Sequence, residues 1–132
     1  MKVVRSAPEF AHYPAQFHMS AAIETPDYVF FSGQTGVRAD GSIARDSETQ
    51  IRDAFRFLQA NLAAAGLSFD DVVEMTTYHV GLRKQLELFI RIKDEFIFEP
   101  YPAWTAIGIT ELWTEGSVVE IRVIARRSIT LG

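Results

Sequence analysis

The sequence contains no cysteine, no long apolar run and no excess of positive charge, and each absence excludes a class of protein. Without cysteine there is no disulfide scaffold, no zinc site built from thiolates and no cysteine nucleophile. No apolar run approaches the roughly 18 residues of a membrane-spanning helix, and the N-terminus lacks the apolar region of a secretory signal. The 17 acidic side chains outnumber the 13 basic ones, which disfavours nucleic acid and anionic membranes as partners. We therefore expect a cytoplasmic protein that binds neither.

The length and composition of the chain are typical of one soluble domain. A chain of 132 residues, of which 48% are hydrophobic, is long enough for one core and too short for two ordinary domains. We expect a single domain over residues 1–132, in which the irregular segment 1–18 forms an arm on the surface. The patterns predict strands at 20–24 and 28–32, a helix from Ser47 that ends before Gly66, a strand at Val72–Val80, a helix at about Lys84–Phe98, and strands at Ala103–Ile109 and Val118–Ala125.

The helix that begins at Ser47 is the clearest of these elements. Ser47 and Gln50 have the spacing of a capping box, in which two side chains satisfy amides that the first turn leaves free. Apolar residues then recur with the 3.6-residue period of a helix that packs one side on a core. Gly66 stands where a left-handed residue ends a helix.

The order ββαβαββ predicts an α+β fold in which one mixed sheet carries two helices on one face. The strand Val72–Val80 has apolar residues on both faces, which favours a central position. Two helices cannot cover both faces of such a sheet. We therefore expect the other face to be buried against further subunits.

Glu120 is the acidic residue that folding alone explains least. It lies inside an apolar strand, where alternation puts it on the same face as Arg122 and Ile124. A carboxylate in such a strand is costly unless it is exposed, paired or functional. One interpretation is an exposed ion pair with Arg122. The other is a cleft in which desolvation raises the pKa of Glu120 and makes it a general acid or base.

The turn at Ser32 and Gly33 also has two interpretations. The segment 31–36 lacks the glycine two residues before the serine that a nucleophile elbow requires, and no lysine follows its glycines as in a phosphate-binding loop. It is either a strand that ends in a glycine-rich turn or a turn that lines a small-ligand pocket. The pocket interpretation is based on the missing side chain of glycine, which lets a ligand approach the backbone closely.

Histidine and tryptophan give weaker indications. The three histidines lack metal-binding spacing and have no cysteine to complete a site, so we expect no metal and no other cofactor. His79, inside a strand, is more simply a hydrogen-bonded structural residue. Trp104 is a core or interface residue, or alternatively the wall of a pocket.

Several short motifs, each weak individually, occur in order between residues 19 and 127. They are Tyr28-Val29-Phe30-Phe31-Ser32-Gly33-Gln34, Ala64-Ala65-Gly66, Asp71-Val72-Val73, Tyr101-Pro102-Ala103, Val119-Glu120-Ile121 and Ile124-Ala125. Together they resemble the YjgF/RidA family, also called the Rid or L-PSP endoribonuclease-like family. The resemblance implies a chorismate-mutase-like α+β fold and a homotrimer whose sheets face one another around the axis.

The resemblance also implies a chemistry. In archetypal members of the family, clefts between subunits hydrolyse reactive imines and enamines to keto acids and ammonia. By matching positions, Ser32 and Gly33 would contact the substrate, and Glu120 would position or activate the water.

Positions 19 and 104 are among those that depart from the family pattern. The family arginine that clamps the substrate carboxylate follows the Pro-Ala dipeptide, and Trp104 occupies that position here. The tyrosine that closes the pocket is replaced by Met19. An indole cannot replace a bidentate arginine. We therefore expect Trp104 and Met19 to line a pocket for a less anionic and more apolar ligand.

Two functions follow from the resemblance and these departures. The first is a Rid-type hydrolase of reactive imine or enamine metabolites, with Glu120 as the water-positioning base and the ligand bound in clefts between the subunits of a homotrimer. The alternative is a non-catalytic trimer that binds a small hydrophobic ligand. The ribonuclease activity in the family's older name is disfavoured by the net charge of −4.

Overall fold

Residues 1–127 are described by the computed structural model, and they form one six-stranded mixed sheet with two long helices packed against it. The strands are β1 (Val3–Arg5), β2 (Ala22–Glu24), β3 (Tyr28–Phe31), β4 (Val72–Val80), β5 (Ala103–Ile109) and β6 (Val119–Arg126). The helices are α1 (Tyr13–Phe17), α2 (Ser47–Ala64) and α3 (Leu82–Lys93). The strand order is β1-β2-β3-β6-β4-β5, in which β4 and β5 are parallel and all other neighbours are antiparallel. The predicted α+β class and mixed sheet are confirmed.

Alternation along the strands gives the sheet one buried face and one partly exposed face. In β6, Val119, Ile121 and Val123 are buried in the core with residues of α2 and α3. Glu120 and Arg122 lie on the opposite face and are only half-buried. The side of the sheet predicted for Glu120 is therefore confirmed.

The face opposite the helices carries apolar side chains that the described part of the chain leaves open. Tyr28 is 42% exposed, and Phe30 and Ile107 are each 39% exposed. Exposed apolar side chains on one face of a sheet are typical of an interaction site. This is the face expected to be buried against further subunits, and that burial stays a prediction.

Helix α2 begins at the predicted residue, but a different side chain caps it. The Asp46 carboxylate accepts hydrogen bonds from the Thr49 amide at 2.8 Å and the Thr49 hydroxyl at 2.7 Å. The expected capping box of Ser47 and Gln50 is therefore wrong. Gln50 is buried instead, and its Oε1 accepts a hydrogen bond at 3.0 Å from the amide of Val118. The Gln50 side chain therefore satisfies buried backbone groups and does not take part in the cap.

The ends of the second long helix differ from the predicted bounds. Helix α3 begins at Leu82, directly after Gly81, whose φ of +75° makes the turn out of β4. It ends at Lys93, whereas the predicted helix is longer because Phe96 and Ile97 continue the apolar period. In the structure these two residues lie in the following turns and still pack on the core, with the Ile97 amide donating to the Lys93 carbonyl at 2.9 Å. The apolar spacing therefore identifies the buried residues, but it does not locate the end of the helix.

The N-terminal segment belongs to the fold, so the prediction of an arm on the surface is wrong for this part of the chain. Strand β1 pairs with β2 at the edge of the sheet. Phe10 is only 1% exposed and contacts Phe57 of α2 at a centroid distance of 5.6 Å. The amide of Ala7 donates to Asn61 Oδ1 at 2.8 Å. A three-residue strand is too short to show alternation, and the partners of Phe10 and Ala7 are distant in sequence.

Candidate functional site

A cavity of about 470 Å³ lies beside the C-terminal end of β3 and the N-terminal end of β6. The N-terminal segment and the loop that follows β3 also line it. Met19, Ser32, Gly33 and Glu120 all line it. Its volume is within the range of about 300–1,000 Å³ typical of small-molecule sites. The structure therefore brings together every residue expected at the site except Trp104.

Glu120 is held in this cavity by the alternation of β6 and by the closeness of a glycine. A Cβ atom on Gly33 would lie 2.6 Å from Glu120 Oε2, so a larger residue at position 33 would displace the carboxyl group. Burial raises the pKa of Glu120 above its ordinary value. The ion pairs of residues 1–127 include none between Glu120 and Arg122. Of the two interpretations of Glu120, the geometry is that of the cleft.

The Ser32–Gly33 turn is fixed by backbone contacts. The Ser32 hydroxyl donates to the Ser20 carbonyl at 2.6 Å, and the Ser32 amide donates to the Ala21 carbonyl at 2.9 Å. No acceptor for the Gly33 amide is found within residues 1–127. The turn thus keeps an unused amide donor and the lone pairs of a hydroxyl oxygen. The hydroxyl proton itself is committed to a carbonyl, which does not suit a nucleophile.

Four rings form one side of the cavity, and we call His12, Tyr13, Phe17 and Trp113 the aromatic wall. The Phe17 centroid lies 5.5 Å from that of Tyr13 and 5.5 Å from that of Trp113, with edge-to-face angles of 77° and 74°. The His12 and Tyr13 centroids are 5.1 Å apart. Burial raises the pKa of Tyr13, and its hydrogen bond with Gln34 opposes that effect. These contacts join the N-terminal segment to the loop before β6.

The charged groups of the cavity other than Glu120 already have partners. Arg38 Nη2 lies 3.5 Å from Asp53 Oδ2. Asp40 accepts hydrogen bonds from the Ser42 hydroxyl at 2.6 Å and the Ser42 amide at 2.9 Å, which hold the pKa of Asp40 below its ordinary value. The lining has one arginine against two carboxyl groups. It therefore suits a neutral or cationic ligand better than an anionic one.

Trp104 does not line this cavity within one chain. Strand β5 pairs it with Met75, which is fully buried on the helix-facing side of β4. Glu120 is paired with Tyr78, three residues further along β4 and hence on the opposite face. Trp104 therefore lies on the opposite face of the sheet from Glu120, in the edge strand β5.

The single chain gives Trp104 the surroundings of a residue at the edge of the core. Its Nε1 donates to Thr77 Oγ1 at 2.9 Å, and its ring centroid lies 5.8 Å from that of Phe89. The ammonium of Lys93 lies 5.0 Å from the indole and 5.6 Å from the ring of Tyr101, in cation–π geometry. A cation is thus present beside the residue that occupies the family arginine's position.

His79 is a structural residue, as its place in β4 predicts. Its Nδ1 lies 2.6 Å from Gln85 Oε1, and its Nε2 lies 2.6 Å from Thr77 Oγ1. Gln85 Nε2 donates to the Val118 carbonyl at 2.9 Å, so its Oε1 is left as an acceptor. Nδ1 must therefore carry the proton of a neutral imidazole. Burial lowers the pKa of His79, which favours this neutral form.

Among residues 1–127, no group of three or more histidine, aspartate and glutamate side chains is placed to hold a metal ion. Over the same range, no helix has the length and apolar character needed to cross a bilayer.

The aromatic wall and Arg38 line the cavity, but the sequence pattern alone does not identify them. The aromatic residues between positions 10 and 17 are a visible cluster, but they have no period that assigns them to a face. Trp113 follows them after about 100 residues. Only the path of the chain brings these rings to one cavity.

Comparison with known proteins finds relatives over most of the chain. A family model described as endoribonuclease L-PSP matches residues 10–127. The RutC family protein YjgH of Escherichia coli (strain K12) is 46% identical over 113 residues, which cover 85% of this chain and 85% of that protein. A solved structure of protein YjgH matches with a TM-score of 0.88 and 39% identity, covering 98% of both chains. A 2-iminobutanoate/2-iminopropanoate deaminase of Dermatophagoides farinae is 29% identical over 110 residues, which cover 80% of this chain and 82% of that protein.

Proposed function

Since the chain belongs to the YjgF/RidA family, we propose that it hydrolyses reactive imine or enamine metabolites in the Glu120 cavity, in the cytoplasm. The observation that supports this most is the Glu120 carboxyl, half-buried in a cavity of small-molecule size with a raised pKa. The mite relative is named as a deaminase of 2-iminobutanoate and 2-iminopropanoate, which are reactive imines. The same chemistry is proposed here for a less anionic and more apolar substrate.

In this proposal Glu120 moves the protons of hydrolysis. The carboxylate accepts a proton from water as the water oxygen attacks the carbon of the protonated imine, which gives a neutral carbinolamine. Glu120 returns that proton to the nitrogen. The C–N bond then breaks, the nitrogen leaves with the electron pair and the hydroxyl proton, and the products are a carbonyl compound and ammonium. A carboxyl group whose pKa is raised by burial suits a residue that both accepts and returns a proton.

The Ser32–Gly33 turn and Met19 complete the proposed site. The unused Gly33 amide can donate to the water or to the oxygen that develops at the reacting carbon. Ser32 is a positioning residue, because its hydroxyl ties the turn to the Ser20 carbonyl. Met19 offers a thioether that adapts to an apolar ligand.

We also propose that three copies of the chain assemble with their open sheet faces together. The support is the exposed apolar surface of Phe30 and Ile107 and the edge position of β5. In this arrangement the ligand binds in clefts between subunits, and Trp104 of a neighbouring copy lines the pocket.

The hydrolase proposal is tested with imines generated in the assay by an amine or amino acid oxidase, while carbonyl product and ammonia are followed. The wild-type protein should accelerate product release over buffer. Glu120→Gln should lower the rate at least about a hundredfold because the amide cannot accept the proton from water. Glu87→Gln, an exposed glutamate of α3, is the matched control and should retain the rate. No acceleration with any imine, or equal rates for Glu120→Gln and wild type, would refute the proposal.

The second candidate is a trimeric protein that binds a small apolar ligand without turnover. The observation that favours it is Trp104 at the position of the family arginine, together with a lining that lacks excess positive charge. Tryptophan fluorescence titration with neutral aromatic metabolites would show saturable binding, while the imine assay would show no product. Trp104→Arg then separates the two candidates, since gain of imine hydrolysis would show that the Glu120 machinery is intact.

A further inference from the structure

The aromatic wall is more exposed than the packing of the fold requires. Trp113 is 77% exposed and Phe17 is 37% exposed, yet their rings are held in edge-to-face contact. Exposed aromatic groups that do not complete a core are typical of binding surfaces. Both residues line the Glu120 cavity, so the ring surface that they leave open borders the ligand space.

The angles between the rings suit a planar ligand. Tyr13 and Phe17 meet at 77°, and Phe17 and Trp113 meet at 74°. A flat ring that enters the cavity can stack on one member of the wall and meet the edge of the next, the two arrangements that aromatic pairs prefer. An aliphatic chain of the same size gains neither contact.

The charges of the cavity indicate what else such a ligand carries. Arg38 is paired with Asp53, while Asp40 and Glu120 contribute two carboxyl groups to the lining. Among the cavity-lining residues of one chain, a ligand carboxylate would meet no arginine or lysine without an acidic partner. A protonated imine, in contrast, is attracted both by the carboxyl groups and by the faces of the rings.

We infer that the substrates are imines of arylalkylamines, with a planar aromatic ring on the aromatic wall, the C=N group at Glu120 and no carboxylate. This inference rests on the proposed hydrolase function and specifies its substrate class. The reaction adds water to Ar–R–CH=NH₂⁺ and releases the aldehyde and ammonium. A reaction that oxidises an arylalkylamine at the carbon next to its nitrogen must supply the substrate.

The inference is tested with the imines that an amine oxidase makes from phenylethylamine and from butylamine. Wild type should prefer the aromatic imine by about tenfold in kcat/KM, as expected from one or two aromatic contacts. Trp113→Leu and Phe17→Leu should bring the ratio of the two kcat/KM values close to one, mainly by slowing the aromatic imine. Phe98→Leu replaces an aromatic residue that is 59% exposed and does not line the cavity, so it should keep the preference.

The outcomes separate this inference from the proposed function. Hydrolysis of both imines without an aromatic preference, or a preference that survives Trp113→Leu and Phe17→Leu, would overturn the inference and leave the hydrolase proposal intact. If neither imine is hydrolysed, the hydrolase proposal fails for this class. The wall is then tested by binding of phenylethylamine and butylamine in Trp104→Phe, in which Trp113 is the sole fluorescent indole. Tighter binding of phenylethylamine by about tenfold would support recognition by the wall, and equal or absent binding would overturn it.

Discussion

Gly33 and Glu120 are packed so closely that a Cβ atom on Gly33 would lie 2.6 Å from Glu120 Oε2. This contact joins the turn that follows β3 to the start of β6. A glycine in the turn therefore determines where the carboxyl group sits. A glycine that can be read from the sequence thus affects the position of the proposed catalytic carboxyl group.

Gly33→Ala should displace the Glu120 carboxyl group and lower imine hydrolysis by about ten- to a hundredfold, since small misplacements of a catalytic group are costly. Gly108→Ala is a matched control, because its Cβ would meet only the side chain of Leu82, at 3.4 Å, an ordinary contact. Rates of carbonyl release for both variants, beside thermal melting curves, measure the effect. If Gly33→Ala keeps the wild-type rate while remaining folded, the position of Glu120 does not determine catalysis.

Glu120→Gln should raise the free energy of unfolding at neutral pH although it lowers the rate of hydrolysis. Burial raises the pKa of Glu120 in the folded state, so the folded protein retains this proton to a higher pH than the unfolded chain, whose glutamate pKa is about 4.3. Above the pKa of the unfolded chain, ionisation of Glu120 therefore lowers the free energy of unfolding. This loss of stability disappears as the pH falls below that pKa.

Urea unfolding of wild type and Glu120→Gln at about pH 7.5 and about pH 4 measures this effect. The variant should be the more stable protein at the higher pH, and the difference should shrink at the lower pH. The exposed Glu87→Gln should show no such pattern. A Glu120→Gln variant that is less stable than wild type at neutral pH would contradict the cleft interpretation of this carboxyl group.

Acid should destabilise the fold through His79. Burial lowers the pKa of His79 in the folded state, whereas a histidine in the unfolded chain has a pKa of about 6.5. Between these two values the unfolded chain binds a proton that the folded chain does not, so stability falls as the pH falls from about 6.5 toward the folded pKa. Urea unfolding of wild type at about pH 7.5 and about pH 5.5 should show this loss.

His79→Asn should lower stability at pH 7.5, by about 1–3 kcal/mol, because Gln85 and Thr77 lose a buried partner. Its stability should depend less on pH between 7.5 and 5.5 than that of wild type. His18→Asn is the control, since His18 is exposed and its φ of +54° is a conformation that asparagine tolerates. An unchanged pH dependence in His79→Asn would show that other groups cause the acid effect.

The sequence predicts those parts of the fold that local pattern determines. The bounds of β4 agree with the prediction, and Gly66, with a φ of +76°, follows α2 as expected. The face of Glu120 also follows from alternation, because β6 has a long run in which apolar and polar residues alternate. These features depend only on neighbours in sequence.

The parts that the sequence does not predict depend on contacts distant in sequence. The face of Trp104 is set by the pairing of β5 with β4, and the small and weakly polar residues of β5 give no alternation from which to read it. The aromatic wall likewise forms only when Phe17 and Trp113 meet in the folded chain. The part of the cavity around Glu120 can therefore be predicted from the sequence, whereas the aromatic wall cannot.

Phe30→Asp should convert a trimer into monomers without unfolding the chain. Phe30 is 39% exposed on the open face of the sheet, and its neighbour Ile124 lies on the same face, so a charge there is tolerated in a monomer but not inside an apolar interface. Light scattering during gel filtration gives the mass of each species, and circular dichroism verifies the fold. Phe98→Asp, at an exposed phenylalanine outside the sheet, should stay trimeric. A monomeric wild type, or a Phe30→Asp variant that remains a trimer, would refute assembly through this face, and with it any place for Trp104 in a neighbouring copy's cavity.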